Sequence, residues 1–407
     1  MTFWNSEKAT NLTALYTLIV MLPFVHLYAY QTAVGRLPFV SGLIPILTLI
    51  GFLLLIRFSV KSPALHQRIG WSAVLFLAYL AVHVLVKHSA GTVIGRDIDG
   101  SLLSNNLLIV YKTLIFLVVG LNLSDPLAYR RSVVCVWTLM VLSALSNVGS
   151  GTLLLDLEGA EDGAVGLYLF LGDSFAIWSL LSVFCVKSFI LRFGIIVLSL
   201  VTLFVLTSRT SLYAFAFSQF IVLLLFIVRE KKLAFKRVFI GVFWVAILSS
   251  LLSSFINLEE VLEGRMLRLF SEGEDDSWSF RQWQLDVGIQ HILESPFWGN
   301  YGSQVRLLGR MGDYIHSYLE VWRQFGIVPF LWIVGLVLTS IYIGGKFAWR
   351  EMSDRSLFIL GLLVFTVLEI TMARSWGNPY IFLAIGLCAG VAAENRRLIS
   401  RRRAARA

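Results

Sequence analysis

Three side chains from separate parts of this 407-residue chain have the chemistry to hold an anion and to move a proton. Arg209 sits in the polar break Thr207-Ser208-Arg209-Thr210 between two apolar runs. Its plainer reading is a turn residue whose stem lies on apolar surface with its head in water; the functional reading is an anion ligand aimed between helices. Arg281 is better placed. Ser279 followed by Gln282 fits a capping box, and Trp278 with Trp283 fits a hydrophobic staple, so a helix is expected from about Phe280 to the stop at Pro296. Arg281 then lies in the first turn, where backbone N–H groups and the dipole also favour an anion. Leu285, four residues on, shares its face. The competing reading is an amphipathic helix on the membrane surface, with Arg281 among lipid headgroups.

His316 heads His316-Ser317-Tyr318-Leu319-Glu320. In a helix Glu320 can reach back and orient the imidazole, and a neutral His with an ordinary pKa of about 6.5 can accept a proton near neutral pH. A lone His near an interface is more often structural; the Glu320 partner and the arginines favour the catalytic reading. Arg374, in Ala373-Arg374-Ser375-Trp376, is either a substrate ligand or an interface anchor beside Trp376. Arg265 and Arg268 balance Glu259, Glu260 and Glu263 as a solvated face, with Arg265 kept as a further substrate-binding candidate.

Guanidinium forks match phosphate oxygens and stay charged, so two or three arginines in one cavity suit a diphosphate. No acidic cluster matches a divalent-metal site; Glu272, Glu274, Asp275 and Asp276 read as a solvated loop. The expectation is therefore no metal and no cofactor, with the arginines stabilising a departing diphosphate.

The elements that must position these residues are membrane helices. The chain is 57% hydrophobic and 14% charged, where a soluble domain carries about 25% charged residues, and its mean hydropathy is +0.78. Apolar runs of bilayer-spanning length recur. Twelve candidate spans cover residues 12–30, 39–56, 72–86, 107–123, 132–146 and 166–186, then 189–207, 211–228, 238–255, 326–345, 356–372 and 380–393. The net charge of +9 does not indicate nucleic acid, because most basic residues collect in short loops on one set of connections. The positive-inside rule puts those loops and both termini in the cytoplasm. The acidic stretch around Asp156, Glu158, Glu161 and Asp162 falls on the outer side. The expected fold is all-α, a single membrane domain over 1–407 with about twelve transmembrane helices. It carries one large periplasmic loop with short helices at 256–325, between the ninth and tenth spans, and a basic cytoplasmic tail at 394–407. Cys135, Cys185 and Cys388 all fall in apolar spans, which argues against a disulfide framework.

In this order and topology the chain resembles the O-antigen ligase and polymerase superfamily, polytopic bacterial membrane glycosyltransferases. The resemblance is carried by Ser208-Arg209-Thr210, by Arg281 to Leu285, by the turn Pro296, Gly299, Gly302, and by His316-Ser317 leading to Gly326. The last spacing is one residue shorter than the usual pattern. The resemblance implies a glycan donor on undecaprenyl diphosphate, at the periplasmic face of the inner membrane, and an acceptor hydroxyl that displaces the diphosphate with inversion. Arg209 and Arg281 would bind the diphosphate, and His316 with Glu320 would serve as base or orienting group. Ser208, Ser317, Arg265 and Arg374 would be further substrate contacts, beside membrane lipids and without nucleic acid.

Two acceptors compete: lipid A-core, which makes the chain a ligase in lipopolysaccharide synthesis, or a second lipid-linked repeat, which makes it a polymerase. The single dominant outer loop favours the ligase. A reading of another class is a twelve-helix transporter, which an inverted repeat or midplane breaks would support. Neither is evident, and Lys112, Asp173 and Glu369 in or near spans read as bundle pairing.

Overall fold

The computed structural model describes residues 6–33, 37, 43–59, 62–91, 96–146, 167–229, 276–308 and 314–404. The ninth expected span, the acidic stretch at 147–165 and Arg265 lie outside the described residues. Among the described residues the structure is helical and contains no strand. Helix α1 (Ser6–Ile19) passes through a π turn at Val20–Phe24 into α2 (Val25–Ala33). Pro23 lies in that turn; it has no N–H to donate, and the wider turn accommodates the missing bond. Helices α3 (Leu43–Ser59), α4 (Arg68–Ser89), α5 (Arg96–Asn122) and α6 (Arg130–Leu145) follow. Then come α7 (Leu167–Cys185), α8 (Phe189–Val205) and α9 (Arg209–Arg229). The helix α10 (Asp276–Glu294) leads to the short α11 (Ser303–Leu308) and α12 (Leu319–Phe325). The chain closes with α13 (Ile327–Glu351), α14 (Asp354–Met372) and α15 (Tyr380–Ala404).

Every expected span except the ninth coincides with one of these helices. Seven stretches are long and apolar enough to cross a bilayer, and three shorter apolar helices lie in α3, α7 and α8. The protein is a multi-pass, all-α helix bundle. Helix α4 shows why a soluble packing is excluded. It buries Ala73, Phe76, Leu80 and Val84 on one side while Trp71, Leu75, Val82 and Leu85 stand exposed on the other, an apolar surface all round that only lipid satisfies.

Two packing features build the frame. Helices α5 and α15 cross with backbones in contact at Gly120 and Gly386; a Cβ on Gly386 would lie 2.6 Å from the Leu117 carbonyl oxygen. Small residues permit that approach where lipid supplies no hydrophobic drive. Helix α7 is the inner helix: Phe175, Trp178, Leu180 and Leu181 are all buried, and so are Asp173, Ser174, Ser179 and Ser182. Its polar groups therefore meet protein rather than lipid, where they would be costly. Trp137 Nε1 donates to Ser179 Oγ and Ser199 Oγ at 3.1 Å each, and Trp178 Nε1 donates to the Val133 carbonyl at 2.9 Å. These bonds tie α6, α7 and α8 together. At one end of the bundle Arg192 pairs with Asp354 at 2.6 Å and Arg355 with Glu394 at 2.8 Å. Of the residues singled out for chemistry, Arg209, Arg281, His316 and Arg374 lie towards the other end.

Candidate active site

Helices α8 and α9 reverse over Leu206, Thr207 and Ser208. Thr207 takes φ +55°, a left-handed conformation that a β-branched residue adopts only under constraint. The constraint comes from packing. Ser208 is fully buried, its Oγ is 2.7 Å from Ser211 Oγ, and a Cβ on Gly172 would fall 2.5 Å from the Ser208 Cβ. Ser211 Oγ donates onward to Asp173 Oδ1 at 2.6 Å. Arg209 opens α9, half-buried.

Asp173 is the partner of Arg374. The guanidinium grips its carboxylate with two parallel bonds, Nε to Oδ2 and Nη2 to Oδ1, each 2.9 Å. Glu369 Oε2 lies 3.5 Å from the same Nε, and neither Glu369 side-chain oxygen has a hydrogen-bond partner. Burial works against the Arg374 charge, but Asp173 and Glu369 outweigh it and hold the guanidinium more firmly protonated than an ordinary arginine. Removing one member of such a buried pair costs about 3–5 kcal/mol, because the other charge is left uncompensated. Arg374, expected as a further substrate contact or as an interface anchor beside Trp376, is thus committed to two carboxylates.

His316 lies in the segment before α12. Its Nδ1 is 2.8 Å from the Ala373 carbonyl oxygen. A carbonyl only accepts, so Nδ1 carries the proton and Nε2 keeps its lone pair. Burial lowers the imidazole pKa to about 4, helped by the charges of Arg281 and Arg374 and opposed by the Ala373 bond. The ring is therefore neutral at pH 7, with an acceptor nitrogen. Tyr314 packs against it with ring centres 4.6 Å apart.

Helix α10 brings Arg281 to this place. Gln284, Gly288 and Ile292 form its buried stripe, and Arg281, half-buried, heads the same stripe. At Gly288 the helix presses directly on Ile315, where any Cβ would collide. The Arg281 charge acts on His316, Tyr314 and Glu369 together. The helix begins at Asp276 rather than near Phe280, so Ser279 lies inside it and the expected capping box does not form its start. Trp283 stacks on Phe280 with ring centres 5.4 Å apart; the Trp278 side chain, the other half of the expected staple, lies outside the described residues.

Glu320 departs from its expected contact. Its fully buried carboxylate accepts from the Ile315 N–H at 2.8 Å, pairs with Arg323 at 2.8 Å and accepts from Gln324 Nε2. The reason is that α12 starts only at Leu319. His316 precedes the helix, so the four-residue spacing does not stack the two side chains. Glu320 instead holds the peptide one residue before the imidazole; burial pushes its carboxyl pKa up and Arg323 pulls it back. Ser317 turns inward on its own chain, its Oγ accepting from the Leu319 N–H at 3.3 Å. The Pro296 turn is anchored on the start of α13: the Ile327 N–H and Trp322 Nε1 both donate to the Pro296 carbonyl, at 3.1 and 2.8 Å. Gly299 and Gly326 both have positive φ and touch backbone to backbone.

Arg281, His316 and Arg374 are thus brought together, and Ser208 joins them through Ser211 and Asp173. Sequence reasoning did not single out Tyr314, Ser211 or the Ala373 carbonyl. Tyr314, two residues before His316, was the one with a local signal.

Residues 194–334 match the family model described as O-antigen ligase. That stretch runs from within α8 into α13 and holds Ser208, Arg209, Arg281, His316, Glu320 and Gly326, whereas Asp173, Glu369, Ala373 and Arg374 lie outside it. Over that stretch the chain is similar to O-antigen ligase, in agreement with the resemblance to the O-antigen ligase and polymerase superfamily. No curated protein matches the chain.

Proposed function

We propose that this protein is an O-antigen ligase of the bacterial inner membrane. It moves a glycan from undecaprenyl diphosphate to a sugar hydroxyl of lipid A-core at the periplasmic face. The observation that carries this reading is the His316 imidazole, neutral, with Nδ1 on the Ala373 carbonyl, which leaves Nε2 as the acceptor nitrogen, and with the Arg281 charge acting on the ring. It sits inside the stretch that matches O-antigen ligase.

The acceptor oxygen attacks the anomeric carbon from the face opposite the diphosphate. The carbon–oxygen bond to phosphorus breaks, its electron pair stays with the diphosphate, and the configuration inverts. Nε2 of His316 takes the hydroxyl proton as the new bond forms, then passes it to water or to the released diphosphate. Arg281 and Arg209 bind and neutralise the leaving group, with most effect as its charge develops. An imidazole of pKa about 4 is a weak base. The bound diphosphate corrects that, since its negative charge offsets the arginines that lower the pKa. Donor binding thereby readies the base. Glu320 supports the ring by holding the Ile315 peptide. The scheme uses the arginines in place of a metal.

The test is reconstitution of the full-length protein with a lipid-diphosphate-linked glycan, offering lipid A-core and a second lipid-linked repeat as competing acceptors. Elongation of lipid A-core supports the ligase. Elongation of the lipid-linked repeat makes it a polymerase, and transfer to neither removes the glycosyltransferase reading.

A further inference from the structure

An unbroken run of bonds joins the two halves of the site. It starts at Ser208, beside Arg209, and passes from Ser208 to Ser211 at 2.7 Å and from Ser211 to Asp173 at 2.6 Å. Asp173 holds Arg374 twice at 2.9 Å. The next peptide back is Ala373, whose carbonyl receives His316 Nδ1 at 2.8 Å. The N–H groups of Ala373 and Arg374 both donate to the Glu369 carbonyl, at 3.0 and 2.8 Å, so the acceptor for His316 is locked to the end of α14. Ser208, Ser211 and Asp173 are fully buried, and Arg374 is 6% exposed.

We propose that Asp173 and Arg374 are positioning residues that keep the Arg209 turn and the His316 ring at one fixed spacing. The diphosphate-binding and proton-accepting groups then act on the same bound pair of substrates. The inference rests on the roles given above to Arg209 and His316. Stability alone explains the pair poorly, because a buried ion pair is often no better than well-packed apolar residues of similar volume. A two-pronged arginine–carboxylate contact does supply direction. Direction matters here, since displacement of a misplacement-sensitive kind loses about a hundredfold in rate for about 1 Å of error. The run also crosses four elements at this end: α7, α9, the end of α14 and the His316 segment.

The groups facing His316 are the Ala373 carbonyl, Tyr314, Arg281 from α10 and Arg374 from the end of α14. Behind Arg374 stand Asp173 of α7 and Glu369 of α14, and Glu320 of α12 bears on Tyr314. Charge changes in the pair must therefore reach the imidazole with a known sign. Asp173→Asn leaves the Arg374 charge less balanced and moves the acid limb of the His316 titration to lower pH. Arg374→Gln removes that charge and moves the limb to higher pH. The double variant brings it back towards the original.

The experiment uses the full-length protein in lipid vesicles. One arm measures kcat and donor KM of glycan transfer against pH. The other measures the rate at which diethyl pyrocarbonate modifies His316, by peptide mass spectrometry, against pH. The expected result is a kcat loss of at least about tenfold in each single variant, with opposite limb displacements. Ser211→Ala, which cuts one link without altering charge, should raise donor KM and leave the limb in place. Identical limbs in all variants, or losses that merely track the amount of monodisperse protein, would overturn the proposal. If the unaltered protein transfers no glycan, the transferase reading fails on its own, and the modification arm still decides whether the pair governs His316.

Discussion

His316 donates from Nδ1 to the carbonyl oxygen of Ala373 at 2.8 Å, although the two residues are 57 positions apart. That bond selects the tautomer of the ring and leaves Nε2 as a proton acceptor. It also brings the segment after α14 into the candidate site, and the consequences can be measured.

His316→Ala is expected to lower transfer by about 10²–10⁴-fold, the usual loss for a proton-transfer group. Arg281→Ala is expected to lower it by about 10²–10³-fold, as for a lost transition-state donor. Both proteins should insert and purify normally. Near-normal turnover by the two variants in a purified assay would overturn the assignment.

The pH dependence follows from the lowered His316 pKa. The free protein needs a neutral imidazole, so kcat/KM should fall as pH drops through about 4, well below the ordinary histidine range. The limb in kcat should lie higher, because the bound diphosphate offsets the nearby arginine charges. Stability carries the same sign. With the folded pKa below the unfolded one, the contribution of neutral His316 is complete above about 6.5 and is lost as pH falls towards 4. Paired pH profiles of kcat/KM and kcat check this; a kcat/KM limb at or above the ordinary histidine pKa contradicts it.

Gly326→Ala should destabilise the protein and abolish transfer together. Gly326 has φ +89° and its α-carbon faces the Phe297 carbonyl, with no room for a methyl group. Strain of this kind costs about 1–3 kcal/mol, and the Pro296 turn that ends α10 must move with it. Thermal unfolding of the detergent-solubilised protein reads the change; an unaltered midpoint would show that the contact is not maintained.

Gly172→Ala separates the two halves of the site. A methyl group there displaces Ser208, 2.5 Å away, and with it the turn that carries Arg209. Donor KM should rise severalfold while the pH limb assigned to His316 stays put. A variant with an unchanged KM would detach Arg209 from donor binding.

Transfer should persist in excess chelator, because in the proposed scheme guanidinium groups supply the charge stabilisation that a divalent cation gives elsewhere. Activity lost to chelator and restored by magnesium would contradict the scheme.

Some of this was legible before any coordinates. The spans follow from uninterrupted apolar runs, a local property that lipid reads directly. The Pro296 turn was legible because proline and glycine carry backbone information in their own identity; its Gly299 and Gly302 both take positive φ. Local spacing failed where the helix boundary lay elsewhere. Glu320 was expected on the imidazole, but α12 begins after His316, so the carboxylate meets the Ile315 peptide.

The sequence by itself determined that the chain is a membrane helix bundle and which charged residues stand at span ends, since hydropathy and charge act residue by residue. Only the tertiary structure decided which of those charges meet. The Asp173–Arg374 pair spans 201 positions, and the partner of His316 is a backbone oxygen with no side-chain signature. Apolar helices look alike to one another in sequence, so their neighbours are settled by close packing, at contacts such as Gly172 on Ser208 and Gly288 on Ile315. That packing, rather than any motif, brings Arg281 and Arg374 to one histidine, His316.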